Sequence, residues 1–423
     1  FLDSLKNTQR KPLKKSETKT SSQITPDRRR TIYIPNMSDH SYAVAAAFEA
    51  CGLPASVLPE SDEETLRWGR KLTSGKECYP CILTTGDMIK MTQSPEFDPD
   101  RSAFFMVSGG GPCRFGQYNR FHRLVLDEMG FPQVPLFTPN QDAGLYREMG
   151  DIGKGFSKIA WRGIVSVDLL QKHLREIRPY EKNPGESEAI YKKYLVKVCQ
   201  ALRRQEGTSN LLKEAHSDFK KVSLNGIERK PVIGIVGEIY IRSNRFGNEN
   251  LVGNIEQLGC EVWLPPFTEW LLYTNYTTKK RSLRKGDYRG FISQFLTNEL
   301  QKVTEERLSK IFHNSLKVPS EPHTEELIEK ASPYLHSSFE GEAILSIGKA
   351  IDYVAKGAAG LINTMPFTCM PGTIVNALLK RCREDYNNIP LLNLAYDGQK
   401  ESNTKTRLEA FVYQVKQYQN RTH

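Results

Sequence analysis

The chain has 423 residues, 39% of them hydrophobic and 26% charged, which is enough for two or three domains with full hydrophobic cores. No apolar run approaches the roughly 20 residues that a membrane helix needs, and the first residues have no signal-peptide pattern, so we expect a cytoplasmic protein without a membrane segment. The formal net charge is +10, yet no recognition module is visible, so we expect no nucleic-acid partner. Phe1 is not an initiator methionine, and we expect the sequence to be part of a longer chain.

The hydrophobic pattern divides the sequence into four parts. Residues 1–30 are basic and polar, which predicts a flexible linker, and residues 31–150 alternate short apolar strands with amphipathic helices. The second part therefore predicts a Rossmann-like α/β lobe, which a helical connection at 151–229 follows. Residues 230–417 predict a second Rossmann-like lobe with a helical insertion at about 268–335. Continuous apolar strands are typical of buried parallel sheets, so we predict an α/β fold with a parallel sheet in each lobe.

Two helix starts can be predicted from local residue types. Ser61-Asp-Glu-Glu64 fits a capping box, in which the Ser61 hydroxyl would accept a backbone hydrogen bond at the start of the helix. Thr373 follows a Pro-Gly turn and is predicted to cap the next helix. The second start matters because Cys369 lies just before it.

The eight cysteines fall into two groups. Four lie within or at the end of helix-like apolar patterns and are predicted to be buried structural thiols: Cys51, Cys199, Cys260 and Cys382. The other four lie in turns rich in glycine and proline: Cys78, Cys81, Cys113 and Cys369. Cys113 and Cys369 both follow an apolar strand and precede an amphipathic helix. In open α/β sheets ligands bind at that position, and a helix amino terminus favours a thiolate or an anionic cluster. Two cysteines presented in the same way predict one shared site.

Three kinds of site could use these cysteines. The spacing Cys78-Tyr-Pro-Cys81 fits a dithiol redox motif, but such a motif usually follows the first strand directly, whereas here a capped helix precedes it. Four thiolates from Cys78, Cys81, Cys113 and Cys369 could bind zinc in a tetrahedron, although zinc sites usually contain two short motifs and this chain has one. An iron–sulfur cluster needs three or four thiolates, and glycine-rich turns let backbone N–H groups approach its sulfurs. The iron–sulfur interpretation fits the wide spacing best.

Four sequence motifs resemble one enzyme superfamily. They are Ser74-Gly-Lys-Glu-Cys-Tyr-Pro80, Gly111-Pro-Cys-Arg-Phe-Gly-Gln-Tyr118, Pro366-Phe-Thr-Cys-Met-Pro-Gly-Thr373 and Asn393-Leu-Ala-Tyr-Asp-Gly-Gln399. Together they resemble the 2-hydroxyacyl-CoA dehydratase and benzoyl-CoA reductase superfamily. They are most similar to the carboxyl-terminal, dehydratase-like region of the large CoA-substrate-specific activase proteins. The resemblance covers residues 31 to about 417.

The resemblance implies a cofactor, a partner and a set of ligands. It implies an oxygen-sensitive [4Fe–4S] protein of anaerobic metabolism, built from Rossmann-like lobes, that receives low-potential electrons from an ATP-driven activator. The cluster ligands of the family fall on Cys78, Cys113 and Cys369 of this sequence. The resemblance also implies an acyl-CoA substrate and a homodimer, because the related proteins pair subunits.

Two features depart from the family pattern. Cys81 stands where we do not expect a cysteine across the family, so it is a candidate fourth ligand, a bystander or part of a larger cluster. With three ligands one iron would stay open to water or substrate, whereas four ligands would favour pure electron transfer. Ser74-Gly-Lys76 lacks the preceding glycine of a P-loop, so we expect ATP hydrolysis on an upstream domain or on a separate activator protein.

We therefore expect an iron–sulfur electron-transfer or reductase component of an ATP-dependent acyl-CoA dehydratase or reductase system, with one [4Fe–4S] cluster between the lobes. One alternative is a radical 2-hydroxyacyl-CoA dehydratase that acts directly on its substrate at an open iron. Another is a non-catalytic zinc or iron scaffold. His40 is a weaker candidate acid or base, and the residues expected to line the cofactor cleft are Arg114, Gln117, Tyr118 and Glu238.

Overall fold

The computed structural model describes residues 27–110, 113–141, 152–153, 155–226, 228–313, 315–317, 321–399 and 403–422. Within these ranges the protein is an α/β fold with two parallel four-stranded sheets, as the sequence predicted. The strands of the first sheet are β1 (Thr31–Ile34), β2 (Ala55–Val57), β3 (Ser102–Phe105) and β4 (Leu136–Phe137). Those of the second sheet are β5 (Val232–Gly237), β6 (Glu261–Trp263), β7 (Gly360–Pro366) and β8 (Leu391–Tyr396).

The two sheets have the same strand order. The first runs β2-β1-β3-β4 and the second β6-β5-β7-β8, with every neighbouring pair parallel. The order therefore reverses between β1 and β3 in one lobe and between β5 and β7 in the other. Ligands of open α/β sheets bind beyond the carboxyl ends of the strands at such a reversal, so the topology provides two equivalent binding edges.

Helices cover the sheets and connect them. The first lobe contains α1 (His40–Ala50), α2 (Glu63–Leu72), α3 (Tyr79–Thr92) and α4 (Tyr118–Glu128). The connection contains α5 (Phe156–Ile177), α6 (Glu186–Arg203) and α7 (Ser209–Lys220). The insertion contains α10 (Phe267–Arg284), α11 (Tyr288–Ser309) and α12 (Thr324–Ala331). The rest of the second lobe contains α8 (Ile239–Ser243), α9 (Leu251–Gln257), α13 (Glu342–Ala355), α14 (Met370–Asp385) and α15 (Thr404–Thr422).

The second sheet is buried on both faces. All seven residues of β7 are buried, which is expected of a central parallel strand with helices on either side. Successive side chains of a strand alternate between the faces. Ile233 and Ile235 accordingly pack with Leu408 of α15, whereas Val236 belongs to the opposite cluster with Ile347 of α13.

The long helix α5 joins the first lobe to the insertion through one carboxylate. Asp168 of α5 pairs with Nε2 of His40 at 2.9 Å. It also accepts hydrogen bonds from the backbone N–H groups of Phe267 and Thr268, at 2.8 and 3.0 Å, where α10 begins. Burial would raise the pKa of Asp168, but His40 and these two N–H groups hold it below its usual value.

The predicted helix caps were wrong by one residue for α2 and by four residues for α14. The cap of α2 is Asp62, whose side chain accepts from Thr65 N–H, while the Ser61 hydroxyl donates to the buried Asp87. A carboxylate competes well for the N-cap position because it also interacts with the helix dipole. α14 begins at Met370, three residues before Thr373, because proline is tolerated in the first turn, where its missing N–H would have no partner.

The predicted linker can be followed only in part. Residues 1–26 lie outside the described residues, as do 142–150 at the end of the predicted first lobe. Arg30 donates to the backbone carbonyls of Pro99 and Ser102, so the end of the predicted linker contacts the first lobe. In the described part of the chain, no helix combines the length and the apolar character needed to cross a bilayer.

Candidate functional site

Three of the motif cysteines stand immediately before a helix. Cys78 is the N-cap residue of α3 and Cys369 that of α14, while Cys113 precedes the 3₁₀ helix Arg114–Gln117. All three have an extended backbone, with φ between −73° and −63°. The first N–H groups of a helix have no partner within the helix. Those of Phe115 and Gly372 partly offset the rise in pKa that burial causes in the thiols of Cys113 and Cys369.

These three cysteines line one cavity of about 560 Å³. Cys113 follows β3 and Cys369 follows β7, which are the equivalent strands of the two sheets. Cys78 comes from the turn between α2 and α3 in the first lobe. Cys81 lies one helical turn further along α3, where it is buried, and it is not among the residues that line the cavity. The fold therefore places Cys78, Cys113 and Cys369 around one cavity, whereas Cys81 is buried in the helix that follows Cys78.

Arg114 links the turns that carry the three cysteines. Its guanidinium donates to the carbonyl of Lys76 at 2.6 Å and to the carbonyl and hydroxyl of Thr368 at 2.9 and 3.0 Å. Lys76 is two residues before Cys78, and Thr368 directly precedes Cys369. Thr368 has a φ of 63°, a left-handed conformation that costs a β-branched residue about 1–3 kcal/mol. Arg114, next to Cys113, thus connects the strained turn before Cys369 to the turn before Cys78.

We expect Arg114→Ala to make the turns open more often without unfolding the lobes. Because the guanidinium is exposed, the free energy of unfolding should fall by only about 1 kcal/mol. The buried thiols of Cys78 and Cys369 should react roughly tenfold faster with a thiol reagent, since local opening controls their access to the reagent. Arg120→Ala, at an exposed position on α4, is the matched control and should leave the labelling rate unchanged. Equal rates in the two variants would contradict a bridging role.

The other predicted cleft residues have separate positions. Tyr118 and Glu238 line the cavity; burial raises the pKa of the Cys78 thiol, and the nearby Tyr118 hydroxyl partly offsets that rise. Gln117 is exposed and does not line the cavity, and Arg114 acts on the turns from outside it. Of the four residues expected to line the cleft, Tyr118 and Glu238 therefore line the cavity, whereas Arg114 and Gln117 do not.

Two carboxyl groups face the cysteines from the second lobe. Glu238 caps α8 and accepts from Tyr240 and Ile241 N–H at 3.1 and 2.8 Å, and Glu342 at the start of α13 accepts from Ile239 N–H at 2.9 Å. Burial and the neighbouring charge of Glu238 raise the pKa of Glu342 to about 8, so this carboxyl is mainly protonated at neutral pH. Glu342 was not among the predicted site residues, because an acidic residue is common at any helix start, where it interacts with the helix dipole.

The surroundings disfavour free thiolates. Burial raises the pKa of Cys78 and that of Cys369, and for Cys369 the charges of Glu238 and Glu342 raise it further. The thiols are therefore protonated at neutral pH in the absence of a cation. A bound group with a positively charged core would reverse this balance, because it would attract the thiolates and separate the carboxylate charges from them.

The three thiols line one cavity but do not form a close set of ligands for a single ion. Among the described residues, no three His, Cys, Asp or Glu side chains are arranged closely enough to hold one metal ion. A cubane cluster attaches each thiolate to a different iron, so its ligands lie farther apart than those of a single ion. Here three thiols line one cavity, and each stands at the start of a helix.

His40 serves the structure rather than the cavity. It lines the cavity, but Nε2 is paired with Asp168 and Nδ1 with the Ser38 hydroxyl, both at 2.9 Å. His40 also lines a second cavity of about 460 Å³, together with ion-paired side chains such as Arg178 and Glu256. Both ring nitrogens of His40 thus have protein partners.

A comparison with models of known protein families gave no match, and a comparison with curated proteins gave none either. The family resemblance therefore stays a prediction that rests on the four sequence motifs. The cavity, the helix-start cysteines and the Arg114 bridge are independent observations.

Proposed function

We propose that this protein is the iron–sulfur electron-transfer or reductase component of an ATP-dependent acyl-CoA dehydratase or reductase system in the cytoplasm of an anaerobic cell. A [4Fe–4S] cluster would be bound by Cys78, Cys113 and Cys369. The observation that carries the proposal is that these cysteines, each at a helix start, line one cavity. When bound, such a cluster supplies one-electron transfer at low potential.

The protein's own residues have separate roles in this proposal. The N–H groups at the three helix starts stabilise negative charge at the sulfurs, and Arg114 keeps the three turns in register. The nearby Tyr118 hydroxyl favours the thiolate form of Cys78, because it lowers the pKa of that thiol. Glu342 holds a proton beside the site at neutral pH, which limits the negative charge there.

The exposure of residues at the candidate site supports electron transfer from a partner protein. Cys113 is exposed, and so are the apolar side chains of Phe367 and Met370, on either side of Cys369. An exposed apolar rim at a redox site suits a transient contact with an electron donor. In the proposal that donor is an activator, on an upstream domain or a separate protein, which couples ATP hydrolysis to reduction.

Anaerobic reconstitution of the 423-residue chain with iron and sulfide tests the cofactor. We expect about four irons and four sulfides per chain, brown colour and a paramagnetic signal after reduction. Cys81→Ser should retain the same iron content, because Cys81 does not line the cavity. A colourless protein that binds about one zinc would overturn the proposal and favour the scaffold alternative.

The size of the cavity favours a second candidate function. A volume of about 560 Å³ is within the range of small-molecule sites, so a substrate could bind beside the cysteines. The protein would then be a radical 2-hydroxyacyl-CoA dehydratase. Reconstituted protein supplied with activator, ATP and 2-hydroxyacyl-CoA thioesters distinguishes the two: substrate turnover supports the dehydratase, whereas reduction without turnover supports the electron-transfer component.

A further inference from the structure

The second cavity lies where equivalent strands of the two sheets end. Ser38 follows β1, Arg242 lies on α8 just after β5, and Leu264 follows β6, while Arg175 of α5 adds a further part of the wall. β1 and β5 have the same position in their sheets. Small molecules bind open α/β sheets beyond the carboxyl ends of the strands. The volume of about 460 Å³ is also within the range of small-molecule sites.

Two arginines in the wall of this cavity have no counter-ion. Arg242 is 6% exposed, and its Nη1 donates to the carbonyl of Gly237 at 3.2 Å, while its Nε has no hydrogen-bond partner within the described ranges. Arg175 donates to the Gln171 side chain at 3.4 Å, which is long for a hydrogen bond. In the part of the chain that the structure describes, neither guanidinium forms an ion pair. Buried cations without a partner are costly, so these two indicate an anionic ligand.

The carboxylates that share the wall do not neutralise the two arginines. Four of them have other protein partners: Asp39, Asp168, Glu188 and Glu256. Arg178, for example, pairs with both Glu188 and Glu256 at 2.7 Å. The remaining one, Glu60, is exposed. The charge that is left without a partner in the buried part of the wall is therefore positive.

We propose that the second cavity binds a small organic acid, whose carboxylate pairs with Arg175 and Arg242. The planar guanidinium group matches a carboxylate, to which it can donate two parallel hydrogen bonds. A phosphate with a double charge fits less well, because it would be repelled by the carboxylates of the same wall. Leu264 and Phe267 add apolar surface to the cavity, so an acid with a short hydrocarbon chain matches its lining.

Calorimetric titration of the full 423-residue chain with hexanoate tests the proposal. We expect saturable binding with a dissociation constant of about 1 mM or lower, and binding of inorganic phosphate at least tenfold weaker. The chain is used without iron, so the result is independent of the proposed cluster. An absence of hexanoate binding would overturn the proposal, and phosphate binding of equal affinity would overturn the choice of a carboxylate.

Arg175→Met separates a binding role from a structural one. It should weaken hexanoate binding at least tenfold and raise the melting temperature of the protein without ligand, because it removes a buried charge that has no counter-ion. Arg242→Lys keeps the charge but loses the planar group, and it should also weaken binding. A lower melting temperature for Arg175→Met, or unchanged affinity in either variant, would contradict the proposed site.

Arg162→Met is the matched control. Arg162 is a half-buried arginine of the same helix, α5, and it donates to the carbonyl of Glu206 but lines neither cavity. The control should bind hexanoate with wild-type affinity, and circular dichroism of all three variants verifies that they remain folded. Equal loss of binding in Arg162→Met and Arg175→Met would show that the effect does not arise in the cavity.

Discussion

Cys369→Ala is expected to lose nearly all bound iron after anaerobic reconstitution while its lobes remain folded. Cys369 is the proposed ligand from the second lobe, while Cys78 and Cys113 come from the first. Its loss would leave two thiols, which is fewer than the three or four that a cubane needs. Iron should therefore fall from about four per chain to less than one, and the visible absorption of the cluster should disappear.

Cys382→Ala is the matched control for this variant. Cys382 is also buried and lies near the other end of the same helix, α14, but it packs in the hydrophobic core and does not line the cavity. Its replacement should cost about 1 kcal/mol of stability and leave the iron content unchanged. If Cys369→Ala kept its iron, or if both variants lost it equally, Cys369 would not be a ligand.

Lys349→Met is expected to lower the free energy of unfolding by about 3–5 kcal/mol. The ammonium of Lys349 is completely buried and pairs with Glu269 at 3.0 Å and with Glu321. Methionine fills a similar volume but carries no charge, so the Glu269 carboxylate would remain buried without its cation. Glu269 is on α10 and Lys349 on α13, so the loss should loosen the insertion from the second lobe.

Lys356→Met tests whether burial causes this effect. Lys356 follows the end of α13 and pairs with Asp352 at 2.7 Å, but its side chain is 29% exposed. Asp352 would keep its pair with Lys330, so the expected loss is below about 1 kcal/mol. Urea unfolding followed by circular dichroism measures both variants. Equal losses would mean that the buried pair contributes no more than a surface pair.

Much of the candidate site followed from local sequence. Continuous apolar strands predicted two parallel sheets, and the turns after them predicted where Cys113 and Cys369 lie. Cys51 is half-buried and the other three predicted structural thiols are buried, as their apolar helical patterns indicated. These predictions succeed because periodicity and turn residues act over a few positions, within one strand or one helix.

Other features depended on contacts between distant segments. Glu342 has the local sequence of an ordinary helix start, and only the packing of α13 against α8 places its carboxyl beside Glu238. Arg114 bridges to a residue in the other lobe, a contact that no local pattern encodes. Such pairings are set by how the lobes pack, so they become visible only when the whole chain is folded.

Helix α11 has one feature that its local sequence predicted and another that only tertiary contacts decided. Its sequence predicted a helix within a polar insertion, and the helix is present. The direction in which its apolar side points was decided by tertiary structure, because Asn275 and Trp161 hold the polar side inward through hydrogen bonds. The sequence by itself determined the elements, the parallel sheets and the positions of the cysteines. Only the packing of the elements decided which thiols share a cavity and which surface remains exposed, since both depend on contacts between residues far apart in the chain.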